Sequence, residues 1–157
     1  MNWNSRGVIT FVENLKNMAI WFTNYTLEQV RSMEKGNMME YLEMETSELG
    51  DDFVRGKLKI TDKVRQPIGL LHGGASVALA ESLGSIGANL VVDPSKFYCV
   101  GLDINANHVR GVRDGFVYGE ACPLHIGKTT QVWEIKLTDE AGKLTCISRL
   151  TMAVIAR

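Results

Sequence analysis

Gln66-Pro67-Ile68-Gly69-Leu70-Leu71-His72-Gly73-Gly74-Ala75-Ser76-Val77-Ala78-Leu79-Ala80-Glu81-Ser82, running on to Val92, decides how this chain folds. A glycine-containing turn leads into a segment that is apolar on every side, the pattern of a buried helix. Alanine or glycine at 75, 78, 80, 84, 87 and 88 keeps that helix thin, so other elements can pack closely around it. Glu81 is its one ionisable residue. Burying a carboxylate is costly unless it is paired, neutralised or used. A structural hydrogen bond to nearby backbone is one explanation, and a functional site is the other.

The length of 157 residues is that of one domain with a sizeable core. Hydrophobic residues make up 45% and charged residues 22%, ordinary values for a globular protein. A net charge of −1 gives no basic surplus for nucleic acid. Cys99, Cys122 and Cys146 are odd in number and lack CxxC spacing. Thiols of that kind suit a reducing compartment and argue against a disulfide framework or a cysteine zinc site. No apolar run approaches the ~18 residues of a membrane span. Glu13 and Lys16 interrupt the N-terminal region and no A-x-A site follows, so no signal peptide is expected and the cytoplasm is the expected location.

Residues 1–24 read as an N-terminal extension, with Met18 offering a second start. Thr26-Leu27-Glu28-Gln29 has the form of a capping box and predicts a helix to about Lys35, ending at Gly36-Asn37. Residues 39–49 read as a first strand and Gly50-Asp51-Asp52 as a turn. Phe53 to Ile60 alternates, with Val54, Gly56, Leu58 and Ile60 on one face and Arg55, Lys57 and Lys59 on the other. After the long helix, Phe97 to Val109 predicts a strand with Tyr98, Val100, Leu102, Ile104 and Ala106 on one side. Asp114-Gly115 marks a turn, and strands follow over 116–122, 131–137 and 144–155. Consecutive strands with short turns pair antiparallel. An antiparallel sheet with one apolar helix against it is α+β, and a sheet this long must curl around the helix.

His72-Gly73-Gly74-Ala75, with a carboxylate nine positions after the histidine on the same helix, resembles the hotdog-fold acyl-CoA thioesterases. Gly101-Leu102-Asp103-Ile104-Asn105-Ala106-Asn107-His108-Val109-Arg110 and Pro123-Leu124-His125-Ile126-Gly127 extend the likeness over residues 25–157. It is closest to the branch acting on aromatic acyl-CoA, the 1,4-dihydroxy-2-naphthoyl-CoA thioesterases of menaquinone or phylloquinone synthesis. The resemblance implies a hotdog fold, five or six strands wrapped around the long helix. It also implies homodimers joined edge to edge, often paired into homotetramers, with active sites at the dimer interface. Coenzyme A would enter as part of the substrate, with no separate cofactor.

Thioester hydrolysis needs an activated water or a nucleophile, and donors for the oxyanion. Gly73 begins the helix, where N–H groups are free and the dipole is positive, and is the expected oxyanion donor. Glu81 would attack the carbonyl or deprotonate water. Eight residues separate the two, about 12 Å of helical rise. Both must approach one carbonyl, so two antiparallel copies are needed, with Gly73 of one beside Glu81 of the other. His72 is expected to orient the turn. The resemblance gives Gln66 the placing of the carbonyl or water, and Ser85 a hydrogen bond beside Glu81; a serine bonded back to its own helix is the other reading of Ser85. Asn89, one turn on, reads as structural. The resemblance assigns substrate binding to Gly101, to His108-Val109-Arg110-Gly111 and to His125-Ile126-Gly127-Lys128-Thr129-Thr130, where cations, glycines and strand-end N–H groups suit phosphate and pantetheine.

His72, His108 and His125 lack short ligand spacing, so no metal is expected. Other readings are a thioesterase for phenylacetyl-, hydroxybenzoyl- or medium-chain acyl-CoA, or a non-catalytic acyl-CoA-binding module. The second, as an acyl-CoA-sensing regulator, needs a DNA-binding segment, for which residues 1–24 are too short and not basic enough, and has little use for Glu81.

Overall fold

A computed structural model describes residues 19–157. Of the 1–24 extension, residues 1–18, and with them Met18, lie outside the described residues; Ile20 and Phe22 donate backbone hydrogen bonds to Asp51 and Leu90, and the Trp21 indole donates to Gly50 O at 2.7 Å.

Thr26 caps helix α1 (Leu27–Ser32) as the capping box requires. Its Oγ1 accepts from the Gln29 N–H, and Gln29 Oε1 accepts from the Thr26 N–H at 2.9 Å. The helix stops at Ser32, short of Lys35. The expected strand over 39–49 is corrected in its first half. Asn37 Oδ1 accepts from the Met39 N–H and starts a one-turn helix, α2 (Met38–Tyr41). Glu43, at φ 60°, breaks the chain out of it. Only then does β1 (Met44–Leu49) begin.

Strand β2 (Val54–Lys59) buries Val54, Gly56 and Leu58 and turns Arg55 and Lys59 out, as its alternation predicts. Helix α3 (Gly73–Val91) follows, then β3 (Phe97–His108), β4 (Phe116–Ile126), β5 (Thr130–Asp139) and β6 (Leu144–Ala156). All pairings are antiparallel, in one six-stranded sheet of order β1-β2-β4-β5-β6-β3. α3 touches five of the six strands, β2 to β6, so the sheet does curl around it. Leu79 and Leu83 from α3 meet Leu58, Trp133, Ile135, Leu137, Leu150 and Met152 in a fully buried core. The small residues of α3 permit this approach: a Cβ on Gly87 would stand 2.7 Å from the Trp133 ring.

Two further expectations fail. α3 is not buried on every side, because Ala78, Glu81, Ser82, Ser85, Ile86 and Asn89 form a half-exposed stripe along it. The face of β3 also changes halfway. A bulge lies between Gly101 and Asp103, which pair with Met152 and Thr151. One extra residue moves every later side chain to the other face. Tyr98, Val100 and Leu102 are therefore exposed, whereas Ile104 and Ala106 pack against the core.

Candidate active site

The turn before α3 is a tight hairpin. Gln66 O accepts from the Gly69 N–H, and the Gln66 N–H donates to Leu70 O at 2.8 Å. Gly69 takes φ +77°, which glycine adopts without strain. Arg65, a residue the sequence reading passed over, fastens this turn to the loop after β3. Its guanidinium donates to Gly69 O at 3.1 Å and to Arg113 O, and pairs with Asp114 at 2.8 Å. No local motif marks it, since its partners lie far along the chain.

His72 is the N-cap of α3, and its Nδ1 accepts from the Gly74 N–H at 2.9 Å. That bond ties the end of the turn to the first residues of the helix. Gly73 is the first helical residue, so its N–H has no partner within the helix. A Cβ there would lie 3.0 Å from His108 Nε2, which brings the end of β3 against the start of α3. Gln66, Gly73, His108, Val109, Arg110 and Gly111 all line one cavity of about 450 Å³. Thus six predicted residues from three separate segments converge on the helix N-terminus.

Glu81 and Ser85 are elsewhere. They line a second cavity of about 390 Å³ on the half-exposed stripe, with Met38, Met39 and Ile86. Glu81 Oε1 lies against Gly101, where a Cβ would come within 2.7 Å of it. No ion pair holds the carboxylate among the described residues. Ser85 Oγ turns to the Met152 sulfur at 3.8 Å, bonding neither its own helix nor Glu81. Asn89 is structural as read: its amide bonds Cys99 N and O and pins α3 to β3. Met39 stands at the start of the expected strand and Met38 just before it. Nothing in the local pattern shows that they face Glu81.

His125 and Ile126 end β4, and Gly127 to Thr129 turn into β5 at Thr130. Gly127 N–H donates to Thr130 O, and Thr129 O accepts from Val154 N–H. Ile126, Gly127 and Lys128 line a third cavity of about 490 Å³ with Val91 and Val92, at the helix C-terminus. In one protomer the two proposed coenzyme-binding segments therefore stand at opposite ends of α3. Among the described residues no cluster of three His, Cys, Asp or Glu could hold a metal ion.

Burial pushes the Cys99 and Cys146 thiols up, and burial followed by Glu120 does so for Cys122. Neutral thiols are poor nucleophiles.

The sequence profile of the thioesterase superfamily matches residues 68–146, from the turn through α3, β3, β4 and β5 to the start of β6. This chain belongs to the thioesterase superfamily. A 1,4-dihydroxy-2-naphthoyl-CoA hydrolase of Escherichia coli K12 is 46% identical over 136 residues, 87% of this chain and 99% of that protein. An esterase of Vibrio cholerae is 50% identical over 137 residues, covering 87% and 91%. The crystal structure of a mutant thioesterase from Pseudomonas aeruginosa superposes with a TM-score of 0.86 at 44% identity, covering 88% of this chain and all of that one. The hotdog α+β fold and a thioester-hydrolysing chemistry follow from that membership.

Gly101 is a sharp probe of the site. Gly101→Ala should push the Glu81 carboxylate aside and lower kcat about 10- to 10²-fold, because ångström-scale misplacement of a catalytic group costs that much. Coenzyme A release and a thermal melt on the same sample test it. An unchanged rate would remove Gly101 from the site.

Proposed function

We propose that this chain is a homodimeric acyl-CoA thioesterase whose substrate is 1,4-dihydroxy-2-naphthoyl-CoA or a similar aromatic acyl-CoA. The observation that carries the reading is the division of the machinery. Glu81, with no ion pair among the described residues, lies against Gly101 and lines one cavity, while Gly73 lines another, about 12 Å along the same helix. Two antiparallel copies would complete two equal sites, each with Gly73 from one chain and Glu81 from the other.

In that site the partner's Gly73 N–H holds the thioester carbonyl oxygen as it gains negative charge. Glu81 either attacks the carbonyl carbon or takes a proton from the water that does. The C–S bond then breaks and coenzyme A leaves as a thiol once protonated; where water attacked, the acyl group leaves as the free acid at once, and where Glu81 attacked, it stays on Glu81 as a mixed anhydride until a water hydrolyses it to the free acid and restores the carboxylate. Gln66, oriented by its amide bond to Leu71 O at 3.3 Å, would place the carbonyl or water. Arg110 and Lys128, at opposite helix ends in one protomer, would come to one coenzyme across the two-fold axis and bind its phosphates. Coenzyme A is substrate here, and no further cofactor takes part. The three free thiols support a reducing, cytoplasmic setting. Pairing of dimers into tetramers completes the proposal.

Steady-state release of coenzyme A from dihydroxynaphthoyl-, benzoyl-, phenylacetyl- and straight-chain acyl-CoA tests the substrate class. A protein-only blank is needed because the cysteines react with thiol reagents. The expected result is a kcat/KM for the bicyclic aromatic ester at least about 10-fold above the straight chain, the discrimination a shaped apolar pocket gives. Equal rates would overturn the aromatic assignment.

A further inference from the structure

The buried residues of α3 are leucine, alanine and glycine, with one exception, Ser76. It is 5% exposed. A serine inside a helix ordinarily bonds back to a carbonyl of the preceding turn. Here the nearest such carbonyl is full, because His72 O accepts from the Ala75 and Ser76 N–H groups at 3.0 and 3.2 Å. Ser76 Oγ makes no hydrogen bond among the described residues. The side-chain oxygens there that are fully sealed and unpaired are Thr46 Oγ1 and Thr61 Oγ1. Ser76 Oγ is unpaired without being sealed, so its small exposure opens to the cavity of about 450 Å³ that Ser76 lines with Gln66 and Gly73. An unpaired hydroxyl in a core is costly, and a ligand that accepts from it removes the cost.

Helical side chains lean toward the N-terminus and cover the turn before their own Cα. Ser76 follows Gly73 by three residues, so its hydroxyl leans over the first turn of α3, where Gly73 carries no side chain. Donors are scarce at that end. The His72 N–H goes to Val64 O, the Gly74 N–H to His72 Nδ1 at 2.9 Å and the Ala75 N–H to His72 O. Of the first N–H groups only that of Gly73 is left free among the described residues. The cavity's other hydroxyl, on Thr145, donates to Leu137 O at 3.1 Å and is spent. Oxyanion holes combine preorganised backbone and side-chain donors. One free N–H and one free hydroxyl are what this helix end offers.

Resting on the hydrolase reading above, we infer that the Ser76 hydroxyl is a second donor to the thioester carbonyl oxygen, beside the Gly73 N–H of the same chain. Ser76 keeps its proton throughout. It neither attacks the carbonyl nor relays a proton; its hydrogen bond strengthens as the oxygen gains charge and weakens again when the C=O bond reforms. A methyl group in its place leaves the oxyanion with one donor fewer at this helix end.

Ser76→Ala beside wild type decides it in three measurements. On the acyl-CoA panel, kcat should fall about 10²-fold with KM within about twofold, the pattern of a contact that matters in the transition state. The melting temperature should not fall, since alanine removes an unpaired hydroxyl and breaks no bond. The third reads the contact without turnover. It uses the ketone analogue of benzoyl-CoA, with a methylene in place of the thioester sulfur and an isotope label at the carbonyl. Binding to wild type should lower the C=O stretching frequency, and Ser76→Ala should undo part of that shift. A kcat within about twofold of wild type would overturn the assignment. So would an unchanged carbonyl shift, and with a lowered melting temperature it would make Ser76 a core residue only. Wild type that binds the ketone but hydrolyses no ester would overturn the hydrolase reading, while the shift still judges Ser76. Wild type that neither binds nor hydrolyses would overturn both.

Discussion

Glu81→Ala, and equally Glu81→Gln, lowers kcat for thioester hydrolysis by about 10²-fold or more while the protein stays folded. The glutamine keeps the shape and hydrogen-bonding size of the carboxylate but can neither attack a carbonyl nor accept a proton from water. A structural glutamate would show the opposite pattern, with the isostere tolerated and the alanine destabilised. Glu81 is half-exposed, held by no ion pair among the described residues, and set against a glycine that leaves room for its oxygen. Those features suit a group kept free for substrate. Steady-state coenzyme A release with a thermal melt on each variant checks the expectation. A rate for Glu81→Gln near wild type would remove Glu81 from the chemical step.

The second large effect is on stability. Trp133 is fully buried on β5, and its ring fills the space that Gly87 leaves beside α3. Its indole N–H donates to Gln131 Oε1 at 3.0 Å, and the buried Gln131 donates in turn to Ala88 O. Trp133→Ala opens a cavity between helix and sheet and leaves Gln131 short of a partner. Loss of a buried aromatic costs about 3–5 kcal/mol. Domains of this size are stable by about 5–15 kcal/mol, so much of the margin goes. Urea titration should show a large drop in midpoint. Trp133→Phe, which keeps most of the volume, should lose less. Equal stability of the alanine variant would mean that the helix–sheet core is held elsewhere.

Much of this architecture could be read from residues. The Thr26 capping box, the alternation from Val54 to Ile60 and the small-residue helix carrying Glu81 all rest on local rules, and local rules determine them. The failures share one cause, which is that the deciding partner is distant. Asn37 caps a single helical turn where a strand was expected, because four residues carry too little periodicity to separate the two. The bulge at Leu102 leaves no mark on an alternating sequence, yet it puts Ile104 and Ala106 on the core while Tyr98 and Val100 stay exposed. His72, Gly73, Gln66 and Glu81 were visible as a constellation. Met38 and Met39 beside Glu81, and Arg65 beneath the turn, depend on tertiary contacts. The half-exposed stripe of α3 was unreadable for the same reason, since the sequence shows only that it is apolar.

The central claim is that Gly73 and Glu81 of one working site come from different chains. Co-expression of Glu81→Ala with Gly73→Val, followed by purification of the mixed dimer, tests it most directly. Each variant alone should be nearly inactive, the valine because its side chain would crowd His108 at the oxyanion position. In the mixed dimer one site carries both defects and the other carries neither, so about half of the wild-type activity per dimer should return. A mixed dimer as inactive as its parents would contradict the account and place both residues of each site in a single chain.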